Sequence, residues 1–192
     1  MKKLVFLMLF LLLPVSAFAG DTVRHSSKEA NFSLELESSW DNMTVTKTKQ
    51  GKNTAWKADF KRSTASGSDM PLAMLVIDGR KSEDVKQTSD DFKNGQAEVL
   101  MMQIVGMDKD AGSKDGFLLT VNEIKKYGTR SFILIKKENR SLQAVRYYIL
   151  TAFDNYIYSI NCQAEVKTFA DEQVVAKNLE LMMRTLSAYR KG

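Results

Sequence analysis

The sequence predicts an α+β protein built from antiparallel hairpins, in the order four strands, helix, four strands, helix. Three observations carry that prediction. Apolar/polar alternation with a period of two dominates residues 32–77 and 117–163. Residues 82–106 and 168–189 switch to the wider spacing of amphipathic helices. The connections between the later strand-like runs are short, which favours hairpins over crossovers. At 192 residues, the chain is long enough for one domain with a sizeable core.

The first nineteen residues read as an export signal. Lys2 and Lys3 precede the apolar run Leu4 to Leu13, Pro14 ends it, and Ala17-Phe18-Ala19 has the form of a cleavage site. The run is shorter than the roughly 20 residues of a spanning helix. Cleavage after Ala19 leaves Gly20 first, and the expected product is periplasmic with no stable membrane insertion. It also removes two lysines and no acids, so the net charge falls from +5 to +3. That balance is too small to argue for nucleic acid.

Residues 20–31 are polar and are expected to form a flexible tail ahead of one domain spanning 32–190. Phe32 to Leu36 alternates Phe, Leu and Leu against Ser and Glu, the period of a half-buried strand. Met43 to Lys49 is rich in β-branched residues and forms the second strand. Gln50 to Asn53 is a turn. Ala55 to Arg62 sets Trp56, Ala58 and Phe60 against Lys57, Asp59 and Lys61, a third strand with one wet face. Ser63 to Asp69 is a loop. Leu72 to Ile77 is apolar on both parities and belongs inside the sheet, covered on both faces.

Ser82 is the expected N-cap of the first helix, with Glu83 and Asp84 in its first turn. Val85, Phe92, Val99 and Met102 are its expected apolar stripe, flanked by Leu100 and Ile104, and Gly106 its stop. Met107 to Gly116 then forms a polar loop. Four strands follow, Phe117 to Lys126, Ser131 to Lys137, Leu142 to Ala152 and Asn155 to Gln163. Thr168-Phe169-Ala170-Asp171 reads as a capping box with Asp in place of Glu. Val175, Leu179, Met182 and Leu186 line a terminal helix running to about Tyr189.

This order, with its punctuation, resembles the PsbP-like family. The stretch FSLELESSW is similar to that family's opening strand followed by a Trp. The stretch AVRYYILTAFDNYIYSINCQAEVKTF is similar to its paired final strands and their entry into a last helix. Where the family often carries Pro shortly before the Trp, this chain has Ser38-Ser39. The resemblance implies an antiparallel sheet packed between helices, an α/β/α sandwich. It also implies a non-catalytic role, binding or supporting a partner.

One His and one Cys preclude a Cys/His zinc site and an intramolecular disulfide within this chain. Cys162 shares strand parity with Tyr156, Tyr158 and Ile160, so it reads as a buried small hydrophobe. Pairing it with His25 would require the N-terminal tail to fold over the sheet, and that reading is rejected. Asp108, Asp110 and Asp115 surround Gly112, but an EF-hand frame starting at Asp108 fails at its Gly and Glu positions. Lys109 and Lys114 also oppose a dication, so these three are only weak metal candidates, and no cofactor is expected. The methionines, including Met102 and Met182, read as core filler rather than copper ligands.

Two constellations remain as binding candidates. Lys136, Lys137, Arg140 and Arg146 are expected at hairpin ends as a positive rim, and Lys125, Lys126 and Arg130 form a similar run. Tyr147, Tyr148, Tyr156 and Tyr158 on adjacent strands are expected to line a groove. The leading expectation is therefore an exported, periplasmic, non-enzymatic binding or accessory protein whose partner is another exported or envelope protein. The alternatives are a His-independent hydrolase or lyase, in which Asp78, Glu123, Asp154 or Glu165 converge with a Tyr, and a carrier of an ion or small ligand.

Overall fold

The computed structural model describes residues 21–50, 53–62, 73–81, 97–111, 116–154 and 156–190. The first strands in order are β1 (Thr22–Ser27), β2 (Phe32–Glu37), β3 (Trp40–Gln50), β4 (Asn53–Arg62) and β5 (Ala73–Lys81). Helix α1 (Ala97–Ala111) follows, then β6 (Leu118–Tyr127), β7 (Arg130–Asn139), β8 (Ala144–Phe153), β9 (Tyr156–Glu165) and α2 (Phe169–Thr185). The proposed signal, Ser82, Glu83, Asp84, Val85, Phe92, Gly112 and Asp115 lie outside the described residues.

Strands β3 to β9 form one antiparallel sheet in the order β3-β4-β5-β9-β8-β7-β6. Each later hairpin pairs with its successor, and β9 returns to lie against β5, from Ala73↔Ala164 to Lys81↔Tyr156. The chain after β5 therefore crosses to the far edge at β6 and fills the gap inward. Strand β5 is interior, as its apolar sequence predicts. The architecture is α+β: α1 covers one face, and the β1–β2 hairpin with α2 covers the other.

Four expectations are corrected. Residues 22–27 are a strand and not a loose tail, paired with β2 from Thr22↔Glu37 to Ser27↔Phe32. They lack apolar alternation, and backbone hydrogen bonds hold them instead. Helix α1 passes through Gly106 to Ala111, so Met107 to Ala111 is helical where a loop was expected. The cost of a mid-helix Gly, about 1 kcal/mol, is small against packing. The apolar stripe is also rotated: Val99 and Met102 are 50% and 62% exposed. Ala97, Leu100, Met101, Ile104 and Val105 face the sheet instead. Helix α2 ends at Thr185, short of Tyr189, and its capping box is present: the Asp171 N–H donates to Thr168 Oγ1 at 3.2 Å, and the Thr168 N–H donates to Asp171 Oδ2 at 2.9 Å. The Thr168 hydroxyl, which donates to Asp171 Oδ2 at 2.9 Å, and then the Thr168 N–H hold the Asp171 carboxyl below its usual pKa.

The larger core lies under α2. Phe32, Leu34 and Leu36 of β2 pack with Trp40, Phe60, Ile77, Phe132, Tyr158 and Ile160 of the sheet, and with Leu179, Met182 and Leu186. The edge of β2 facing away from β1 is closed by polar groups from the C-terminal region. The Glu37 N–H donates to Asn178 Oδ1 at 3.0 Å, and the Glu35 N–H to Thr185 Oγ1 at 2.9 Å. Ser33 and Ser187 exchange two backbone bonds of 2.8 Å. An edge that would otherwise present unpaired donors is thus satisfied.

Candidate functional site

Strand alternation divides the expected binding residues between the two faces of the sheet. Lys136, Tyr147 and Cys162 stand in register across β7, β8 and β9 and point toward α2. Lys136 is buried there. Its ammonium contacts Glu138 Oε1 at 2.6 Å and also bonds Glu172 Oε1 of α2. Burial disfavours its charge, but the two carboxylates outweigh burial and raise its pKa. The Lys136 bond in turn holds Glu138 below the usual carboxylate range. Lys136 is therefore a neutralised bracket between sheet and helix, not part of a positive rim.

The tyrosines do not form one groove. Tyr147 and Tyr158 are buried, and burial pushes both hydroxyls to higher pKa. The Tyr158 hydroxyl donates to the Asn31 carbonyl at 2.8 Å, tying β9 to the β1–β2 turn. Tyr156 is half-buried and stacks on Tyr158, with Trp56 on its other side. Tyr148 alone of the four reaches the α1 face. Arg140 is exposed in the turn after β7.

Cys162 is buried as its parity predicts, and burial pushes its thiol up to about 12, away from the reactive thiolate. His25, by contrast, is not in a free tail. Its ring meets Phe60 edge-on at 5.1 Å, and burial holds it below its ordinary pKa against the raising effect of a hydrogen bond to the Trp40 backbone carbonyl. The hairpin thus does fold over the sheet. However, Cys162 lies two strands beyond Phe60 through Leu75, about 10 Å further on.

The carboxylates of the hydrolase reading are dispersed. Asp154 and Glu165 flank opposite ends of β9, about 30 Å apart along the strand. Glu123 pairs with Lys125 at 3.1 Å on the edge strand β6, and Asp78 lies mid-strand opposite Ser159. Asp108 and Asp110 fall within α1 rather than in a loop. Among the described residues no group of three His, Cys, Asp or Glu side chains is placed to hold a metal.

What the structure does bring together is on the α1 face. The Lys137 ammonium lies 5.5 Å from the Tyr148 ring centroid. The Arg146 guanidinium covers Phe117 at 3.8 Å and donates from Nε to Gln163 Oε1 at 3.0 Å. Beside them, an apolar cleft opens between α1 and the sheet, bounded by Ile104, Val105, Leu119, Ile135, Lys137 and Tyr148. Lys137, Arg146 and Tyr148 were legible as candidates. Phe117, Leu119 and Ser159, which complete the region, carry no signal distinguishing them from ordinary strand residues.

No protein-family model matches the chain, and no curated protein sequence matches it. Solved structures do. The solution structure of cyanobacterial PsbP (CyanoP) from Synechocystis matches with a TM-score of 0.52 at 11% identity, over 92% of this chain and 99% of that one. A crystal structure from Bacteroides thetaiotaomicron matches 90% of this chain with a TM-score of 0.46 at 15% identity, and this chain spans 50% of its length. A protein of unknown function from Pseudomonas aeruginosa gives 0.37 at 14% identity, over 90% and 100% of the two chains. The CyanoP likeness extends over nearly the whole of both chains: this chain has a PsbP-like fold.

Proposed function

We propose that this chain is an exported, periplasmic, non-catalytic accessory protein that holds another envelope protein through the α1 face of its sheet. The observation that carries the reading is the disposition of reactive side chains. Cys162, Tyr147 and Tyr158 sit on the dry face with their pKa values pushed upward by burial. Lys136 is locked between two carboxylates on that same face. Catalytic groups need pKa values near the working pH and access to substrate, and these have neither. The wet groups, Lys137 and Arg146, are instead braced over aromatic rings, an arrangement suited to recognition. The PsbP-like fold supports the same reading. Among the described residues no helix is long and apolar enough to cross a membrane.

Export is tested by fractionation and by mass spectrometry of the secreted chain, which should begin at Gly20. Partner binding is tested by photo-crosslinkers placed at Arg146 and, as a control, at Lys177 on α2. A single stoichiometric product from Arg146 that disappears in the Lys137→Glu variant is expected. Equal products from both positions, or none, would overturn the docking face.

A further inference from the structure

The cleft between α1 and the sheet has a volume of about 220 Å³. An engineered protein cavity of about 150 Å³ lined by Leu, Ile and Phe takes up benzene, so this one is large enough for a small organic molecule. Its walls are Ile104 and Val105 of α1 with Leu119, Ile135 and Leu150 of the sheet. Strand β9 contributes Ser159, a small side chain, to the lining. Ser159 stands opposite Leu150 in the β8–β9 register. A bulge between Leu119 and Val121 lets Leu119 share the register of Lys137 on the edge.

Lys137 adds one charged group to this apolar lining. Its ammonium sits over Tyr148, which also bounds the cleft, so the charge lies at the wall of the apolar space. An apolar pocket with a few fixed polar groups selects a ligand with an apolar body and a complementary head. We infer that this cleft binds a small amphipathic carboxylate, its hydrocarbon part between α1 and the sheet and its carboxylate at Lys137. The inference shares Lys137 with the protein-partner reading, but small-molecule probes on the isolated protein test it without a docked partner.

Octanoate and octanol serve as probes, with the Ile and Leu methyl resonances of the protein as the readout. Octanoate should shift the methyls of Ile104, Ile135 and Leu150 saturably, while those of Ile77 and Leu36 on the other face stay put. Octanol should bind about tenfold more weakly, the loss of one charge-assisted contact. Lys137→Gln should bring octanoate down to the octanol level without moving Ile77 and Leu36. Ser159→Leu should abolish binding of both probes. The inference is overturned by unsaturable shifts, by equal affinity for octanoate and octanol, or by octanoate binding that is unchanged in Lys137→Gln. Should Ser159→Leu fail to fold, the Lys137→Gln comparison decides alone.

Discussion

The two faces of the sheet are built differently. On the α2 face, large aromatics from β2, β3, β4 and β9 interlock with Leu179, Met182 and Leu186, and the buried polar groups Asn178 and Tyr158 have partners. On the α1 face, among the described residues, a smaller cluster of mainly aliphatic residues meets α1 and lines a cleft. The difference separates two jobs. The α2 face holds the fold together, and the α1 face has room for something else.

Phe60→Ala strikes the α2 face and should produce the largest effect. It should cost about 3–5 kcal/mol, enough to lower the denaturation midpoint sharply. Ile104→Ala on α1 should cost about 1–2 kcal/mol, less than a fully packed site because the cleft already leaves space. Hydrogen exchange should show that loss confined to α1 and β6. Comparable losses from the two substitutions would erase the distinction between the faces.

Lys136→Ala should follow, at about 2 kcal/mol by chemical denaturation, because it leaves Glu138 and Glu172 facing each other without a cation. Lys136→Met, together with Glu138→Gln and Glu172→Gln, should recover most of that loss. Tyr158→Phe removes one buried hydrogen bond and should cost about 1 kcal/mol, with faster exchange in the β1–β2 turn.

The smallest effect expected is a pH dependence from His25. Burial holds its pKa below the ordinary 6.5, so the unfolded chain binds the proton more readily. Its contribution is therefore full above about pH 6.5 and is lost as pH falls through the lower folded value. Glu138 and Asp171 also have lowered pKa values, from ordinary values of 4.5 and 3.8, and act in more acidic solution. Melting between pH 7 and 5 should thus decline in the native chain and flatten in His25→Phe. A slope unchanged by that substitution would place the sensitivity elsewhere.

Much of the fold was legible because its strands are half-buried and alternate. The β2 run FSLEL and the β4 run with Trp56, Ala58 and Phe60 both turn their apolar parity into the core. Thr168 with Asp171 marked the start of α2 correctly, since a capping box is local chemistry. What escaped depends on partners distant in sequence. Strand β1 has no pattern of its own and exists through β2. In α1, six of the seven residues from Val99 to Val105 are apolar, so periodicity alone cannot say which side meets the sheet. The candidate site was half legible: adjacent Lys136 and Lys137 look like one basic patch, yet alternation sends them to opposite faces with opposite fates.

The pair of backbone hydrogen bonds between Ser33 and Ser187 spans 154 positions and has a consequence for the timing of assembly. Strand β2 is made early and must wait, with its outer edge open, until Asn178, Thr185 and Ser187 follow. The hairpin is thus completed by a segment made long after it. A chain truncated before residue 178 would expose an adhesive strand edge, and the latch closes only once residues 178–187 are available.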